Sequence, residues 1–187
     1  MVRLVFFLAL VLLLSLPTEA QSEPPRCLGQ VCFAPQTIVG EEPVKLQGIS
    51  LFEYWSFDVY TGAFYSAGRG VDAALAPLAK KLVLYYHRAI SKEDFITSTQ
   101  AMMKKNPSVN LKEIAAECAR LFELFQSVKP GDRYSIEFVN GRGTTLSLND
   151  KALGTIAGDA FQRAMFGIWL SKYSVGAKFT DRVLGAE

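Results

Sequence analysis

The chain has 187 residues, of which 50% are hydrophobic and 20% are charged, and its formal net charge is +2. This length and apolar content predict one domain with a sizeable hydrophobic core. Because basic and acidic residues are interspersed, without a block of like charges, the composition does not indicate a nucleic-acid partner.

Residues 1–20 have the pattern of a secretory signal peptide. Arg3 supplies a short positive segment, an apolar run follows from 4 to 16, and a small-residue cleavage site is present at Ala20, before Gln21. The apolar run is too short for a comfortable membrane span; an uncleaved amino-terminal anchor is the alternative. We therefore expect cleavage and a mature protein that is periplasmic or secreted, with no membrane span.

Residues 21–36 are polar and contain proline, which predicts a surface leader ahead of a domain at 37–187. Cys27 and Cys32 lie close together and could form a local disulfide in an oxidising compartment. Cys118 falls on the apolar face of a predicted helix, where it is interpreted as an inert core residue. The chain has one histidine, so we expect no metal site, and no motif indicates a cofactor.

Strands are predicted in the first half of the domain. Residues 46–55 and 57–65 form two consecutive segments that are rich in aromatic and β-branched residues. Alternation in the second segment places Tyr60 and Tyr65 on opposite faces of a sheet. A third strand is predicted at 81–89.

The second half begins with helices. A helix is predicted from Lys92 to Lys104 with Ser91 as its N-cap, and a longer one from Asn110 to Pro130 has apolar residues at 3–4 spacing. A hairpin over 134–148 and two short helices follow. Because the strands are grouped by hairpins, the pattern predicts an α+β fold, in which helices cover one face of an antiparallel sheet.

Motifs for catalysis are scarce. The sequence has no Gly-x-Ser-x-Gly elbow and no phosphate-binding Gly-x-x-x-x-Gly-Lys loop. His87 lies in the predicted third strand beside aromatic residues, so we interpret it as structural, although the sequence leaves a Ser–His pair open. Arg142, between two glycines, is interpreted as a solvated residue in a hairpin turn.

Several motifs together resemble the bacterial chalcone isomerase-like family, over roughly residues 45–185. The resemblance implies an open-faced β-sandwich of the chalcone isomerase type, in which a helical layer covers one face of an antiparallel sheet. The family contains both an enzyme and non-catalytic lipid binders. The motifs are Val59-Tyr60-x-x-x-x-Tyr65, Tyr86-x-x-x-Ile90-Ser91-Lys92-Glu93-Asp94-Phe95, Gly131-Asp132 and Phe161-x-x-Ala164-x-Phe166-x-Ile168-Trp169-Leu170.

The resemblance also implies that the cyclisation machinery is absent. Plant chalcone isomerases use an Arg, a Thr, a Tyr, an Asn and a Ser or Thr. The Thr position corresponds to Tyr60 here, and the Arg position to Glu53 or Gln47. A carboxylate cannot replace an arginine that stabilises a developing anion, because its charge has the wrong sign. The remaining positions fall near Asp94, Ala101 and Ile168.

The fatty-acid-binding branch of this fold is a closer match. There a Tyr at the Thr position works with an Arg to hold a carboxylate, and Tyr60 meets the first requirement. Glu53 would repel a carboxylate unless protonated, which leaves Arg88 as the candidate cation. Phe166 and Trp169 are the candidates for lining an apolar cleft between sheet and helices. The alternative is that the aromatic residues fill the core and that Arg88 is solvated.

We therefore expect an exported, non-catalytic binding protein for a small apolar ligand such as a fatty acid, held by burial of apolar surface. One alternative is an isomerase or intramolecular lyase with an unknown substrate. In that case Tyr60 would be the proton donor, with Glu53, Asp58 or Arg88 as the second polar group. Another is a partner in the cell envelope, bound through an exposed apolar face. The sequence does not indicate the oligomeric state.

Overall fold

The structure is a computed structural model, and it describes residues 23–185. The predicted signal peptide and its cleavage site lie outside these residues. Within 23–185, none of the helices has both the length and the apolar content needed to cross a membrane.

Seven strands form one antiparallel sheet in which the spatial order of the strands follows the chain. Two further short strands, β1 and β2, pair as a separate hairpin. The strands are β1 (Arg26–Leu28), β2 (Val31–Phe33), β3 (Gln36–Val39), β4 (Glu42–Tyr54), β5 (Phe57–Ser66), β6 (Lys80–Tyr86), β7 (Arg133–Val139), β8 (Gly143–Leu148) and β9 (Lys151–Ile156). The helices are α1 (Gly70–Leu75), α2 (Lys92–Lys105), α3 (Ala115–Leu124), α4 (Asp159–Leu170) and α5 (Ala177–Val183).

The two faces of the sheet carry separate hydrophobic clusters. Side chains on the same face of the sheet as Tyr60 and Phe64 belong to the larger cluster, which includes residues of α2, α3, α4 and α5. Side chains on the opposite face, with Ala63 and Tyr65, belong to a smaller cluster that includes Val31 of the β1–β2 hairpin. Strand alternation separates the faces in this way. The architecture confirms the expected α+β open-faced sandwich with its helical layer on one face.

The β1–β2 hairpin lies within the segment interpreted from the sequence as a surface leader. Cys27 and Cys32 are directly opposed across it and are joined by a disulfide. Val31 and Phe33 are buried against the sheet, at 6% and 3% exposure. Two apolar side chains therefore attach this segment to the outer face of the sheet, while the disulfide joins the two strands of the hairpin to each other.

Helix α2 confirms the helix predicted from Lys92, and it ends one residue later than predicted. The Ser91 hydroxyl accepts a hydrogen bond from the Asp94 backbone amide at 3.0 Å, and the Asp94 carboxylate accepts one from the Ser91 backbone amide at 3.4 Å. This capping box satisfies two amide groups that the first helical turn leaves without partners.

Other elements differ from the predictions. The third strand ends at Tyr86, so His87 and Arg88 lie in a bend beyond it. Helix α3 begins only at Ala115, because residues 111–114 form turns, and it ends at Leu124. At α3 the apolar 3–4 spacing continues beyond the regular helix, with Leu111 before it and Phe125 after it.

Strand β9 was not predicted at all. It pairs with β8 through a turn at Asn149 and Asp150, whose φ angles are 49° and 64°. Both residue types tolerate this left-handed conformation, which a two-residue hairpin turn requires. The turn lacks the glycine that usually marks such a connection, and Gly154 interrupts the apolar pattern of the strand.

Helix α5 lies unusually close to the sheet. A Cβ atom added at Gly48 of β4 would lie 1.9 Å from the Arg182 carbonyl oxygen, and one added at Gly62 of β5 would lie 2.5 Å from Cζ of Phe179. Glycine at these two positions allows the backbone of α5 to approach the sheet and Phe179 to pack beside Tyr60.

Candidate functional site

Tyr60 lies on the helical face of β5 and is 7% exposed. Its hydroxyl accepts a hydrogen bond from Nε1 of Trp169 in α4 at 3.0 Å, the one hydrogen bond of this hydroxyl within residues 23–185. Burial raises the pKa of Tyr60 well above its ordinary value, and the bond from Trp169 opposes only part of that effect. The phenol is therefore neutral at physiological pH and can act only as a neutral donor or acceptor.

Aromatic rings fill the space around this phenol. Phe52 stacks on Tyr60 with ring centroids 4.9 Å apart, and Tyr86 and Phe179 make edge contacts at 5.6 Å each. These are the separations of rings in direct contact. The apolar cleft expected at this position between sheet and helices is therefore closed, because side chains of the protein occupy it.

The structure brings together two of the five residues proposed from the sequence, Tyr60 and Trp169. Phe166 is fully buried in the same helix, but its ring lies against the ammonium group of Lys80, at 5.0 Å. Glu53 and Arg88 are exposed. As ligand contacts, all five remain predictions.

The positions of Glu53 and Arg88 have a local cause. Glu53 follows a register shift in the pairing of β4 with β5, and it is paired with Asp58 at the exposed end of the hairpin. Arg88 lies beyond the end of β6, and its guanidinium carbon is 4.9 Å from the ring centre of Phe57. Neither side chain forms a hydrogen bond with Tyr60.

Sequence reasoning missed Lys80, a buried lysine with 0% exposure on the helical face of β6. Its ammonium group donates to the Ala76 carbonyl oxygen and lies 5.1 Å and 5.0 Å from the ring centres of Phe138 and Phe166. Extending the predicted third strand by one residue would have revealed it, because Lys80 then shares the face of the buried Leu82.

The charge of Lys80 is poorly compensated. Burial lowers its pKa, the nearby Arg163 also lowers it and Asp159 opposes the change, so that the pKa is about 8. Gln162, also fully buried, donates from Nε2 to the Leu75 carbonyl at 3.0 Å. Its Oε1 has no donor within residues 23–185. The buried ammonium group of Lys80 and the buried amide of Gln162 therefore make the interior beside α1 and α4 polar and electropositive.

A groove with a volume of about 410 Å³ lies directly above that interior, between α1, α4 and the connection from α2 to α3. Its charged lining consists of Arg163, Lys172 and Glu113, so cations outnumber anions. Ligand pockets commonly have volumes of about 300–1,000 Å³. The apolar lining consists of Val71, Leu75, Val109, Ile114, Ala160 and Ala164.

A second, smaller concavity of about 200 Å³ lies on the outer face of the sheet, beside the β1–β2 hairpin. The guanidinium carbon of Arg133 lies 5.5 Å and 5.4 Å from the ring centres of Phe33 and Tyr85. The Tyr65 hydroxyl donates to the Ala34 carbonyl at 3.1 Å, so it ties the hairpin to the sheet. This concavity has about half the volume of the groove.

A curled antiparallel sheet with a helical layer over one face defines an α+β protein of the open-faced sandwich class. The family model described as chalcone isomerase-like matches residues 26–185, and the chain belongs to the chalcone isomerase-like family. The match includes the β1–β2 hairpin, which the sequence interpretation had placed before the domain.

A solved structure with the same fold is that of a fatty-acid-binding protein from Arabidopsis thaliana. The TM-score is 0.64 at 12% sequence identity, and the similarity covers 83% of this chain and 92% of that chain. At this identity, the likeness establishes the fold alone. No curated protein sequence matches the chain.

Proposed function

We propose that this protein is exported and binds a small apolar ligand with an acidic head group, of the fatty-acid class, without converting it. The observation that carries the proposal is the groove between α1, α4 and the α2–α3 connection, which is lined by apolar residues and by two cations against one carboxylate. The fatty-acid-binding protein of the same fold makes this ligand class a reasonable choice.

The groove fits the two parts of such a ligand. Its apolar residues offer a surface on which an acyl chain loses contact with water, at about 0.8 kcal/mol for each buried methylene group. Arg163 and Lys172, both exposed, lie where they can attract a carboxylate. Lys80 adds positive potential from beneath, because it is close enough to Arg163 for their charges to interact.

The isomerase alternative has weaker support. It requires a second polar group beside the Tyr60 hydroxyl to move a proton or stabilise charge. Glu53, Asp58 and Arg88 were the candidates, and all three are exposed, whereas the hydroxyl bonds to Trp169. The indole N–H donates a hydrogen bond but is too weak an acid to transfer its proton at physiological pH.

The proposal is tested by calorimetric titration with decanoate, dodecanoate and tetradecanoate. Each step adds two methylene groups, so affinity should increase by about 15-fold per step until the groove is filled. Methyl dodecanoate, which lacks the negative charge, should bind a few-fold more weakly than dodecanoate, because exposed ion pairs contribute only about 1 kcal/mol or less.

A pair of matched variants locates the ligand. Ala160→Trp fills the groove and should abolish binding, whereas Ala101→Trp adds the same side chain at an exposed position of α2 outside the groove and should leave it intact. Affinity that does not change with chain length would contradict the ligand class. Binding that survives Ala160→Trp and is lost in Tyr60→Phe would instead assign the ligand to the sheet–helix interior.

Export is tested separately. The full chain should be produced in a bacterial host, and the protein recovered from the periplasm or medium should have the mass of a chain that begins at Gln21. Recovery of the uncleaved chain with the cell membranes would support the amino-terminal anchor instead.

A further inference from the structure

The turn between β4 and β5 presents three large aromatic side chains to solvent. Tyr54 is 63% exposed, Trp55 82% and Phe57 58%; we refer to these three residues as the aromatic tip. Single exposed apolar residues are common on protein surfaces, but a contiguous group of exposed aromatic residues indicates an interaction site. None of them lines the groove.

The turn of the aromatic tip has a backbone conformation that bulky residues rarely adopt. Trp55 and Ser56 have φ angles of 51° and 67°. Two-residue hairpin turns need this left-handed conformation, and Asn-Gly adopts it at the lowest cost. A bulky residue there is a genuine outlier. The turn alone does not explain a tryptophan at this position, which indicates a separate role for its side chain.

The shape of the tip argues against a protein partner. A standard protein interface buries about 800 Å² on each side and involves about 20–30 residues. The aromatic tip is the convex end of a hairpin and offers only three aromatic side chains. Glu53 and Asp58, which lie beside it, are exposed and charged. The apolar surface of the tip ends at these charged residues on both strands. It is therefore too small for a standard protein interface.

We propose that the aromatic tip docks on the surface of a phospholipid bilayer, with Trp55 inserted at the level of the head groups. Tryptophan and tyrosine combine an apolar ring with a polar atom, which suits the boundary between head groups and acyl chains. The guanidinium of Arg88 lies over the Phe57 ring, where it can reach a lipid phosphate while the ring contacts apolar surface.

The charges around the tip select the kind of lipid. Two carboxylates, Glu53 and Asp58, and one guanidinium, Arg88, are exposed beside it. Their balance is negative, so a strongly anionic surface is repelled and a zwitterionic surface is preferred. This docking does not depend on the groove or on its ligand, and either proposal can fail without the other.

The experiment uses the wild-type protein and vesicles of dioleoylphosphatidylcholine. The chain has two tryptophans, and Trp169 is buried at 9% exposure, so the exposed Trp55 dominates any response. We expect a blue shift in its emission on addition of vesicles and quenching by brominated phosphatidylcholine. Trp55→Ala should remove the quenching and weaken cosedimentation with vesicles by at least about tenfold.

Two controls complete the test. Ile38→Ala removes an exposed apolar side chain of β3, 59% exposed, and should leave vesicle binding unchanged. The double variant Glu53→Gln, Asp58→Asn should bind vesicles containing phosphatidylglycerol more strongly than the wild type does. The proposal is overturned if Trp55 emission does not respond to vesicles, or if Ile38→Ala weakens binding as much as Trp55→Ala. Self-association that Trp55→Ala abolishes, without vesicle binding, would assign the tip to a second copy.

Discussion

Replacement of Lys80 by methionine tests whether this buried cation destabilises the fold at neutral pH. Its pKa is lowered from an ordinary value of 10.5 to about 8. At about 1.4 kcal/mol per pKa unit, holding the proton on the folded protein costs about 3 kcal/mol at pH 7. Methionine has a similar length and no charge, so Lys80→Met removes that cost.

Two structural features limit the losses in this variant. The Ala76 carbonyl keeps a second donor, the backbone amide of Leu78 at 2.8 Å, so no unpaired acceptor is created. The cation–π contacts with Phe138 and Phe166 are lost, at about 1–2 kcal/mol, while a thioether still packs against both rings. We therefore expect Lys80→Met to be about 1–2 kcal/mol more stable than the wild type at pH 7.

The dependence on pH is the sharper part of this prediction. Between about pH 8 and pH 10.5 the unfolded chain holds the proton and the folded protein has released it, so wild-type stability rises with pH in this window. The difference between Lys80→Met and the wild type should therefore decrease by about 2.5 kcal/mol from pH 7 to pH 10.

Urea denaturation, monitored by circular dichroism, measures both proteins at each pH. Burial raises the pKa of Tyr60, Tyr65, Tyr86 and Tyr134, which lowers stability as pH passes through about 10. Subtraction of the two curves removes that contribution, since the variant keeps all four tyrosines. A difference that stays constant over the whole range would refute the reasoning, because it would mean that the Lys80 ammonium is hydrated in the folded protein.

Three further predictions concern stability, each measured by the same urea denaturation. Tyr60→Phe should cost about 1–3 kcal/mol, because the buried N–H of Trp169 loses its acceptor; no loss would mean that water replaces the phenol. Gly48→Ala should cost at least about 3 kcal/mol, because its Cβ would meet the Arg182 carbonyl at 1.9 Å and displace α5; a near-neutral effect would contradict the close packing of α5. Ser91→Ala should cost about 1 kcal/mol through loss of the α2 cap, and Ser91→Asp should restore most of it.

Local patterns were enough to predict part of the structure. The capping box and helix α2 were predicted because the cap and the first turn interact within four residues of each other. Strands β4 and β5 were predicted from their dense aromatic and β-branched residues, and alternation placed Tyr60 on the helical face. The α+β class followed from the grouping of the elements, whereas the family followed from the motifs that resemble it.

The candidate site was predicted less well. Tyr60 and Trp169 were both named, but their hydrogen bond joins residues 109 positions apart, and no local pattern encodes such a contact. The groove was missed because α1, α4 and the α2–α3 connection are distant in the chain. Lys80 was missed because the start of the strand was placed one residue late. In addition, a lysine side chain is ordinarily exposed to solvent.

The sequence by itself determined helix α2 with its cap, strands β4 and β5, and the face of β5 on which Tyr60 lies. These follow from propensities and periodicities that act over a few residues. Only the tertiary structure decided whether the space beneath the helices is open or filled. That outcome depends on how the rings of Phe52, Tyr60, Tyr86 and Phe179 meet, and close packing is a property of side-chain shapes brought together from distant parts of the chain.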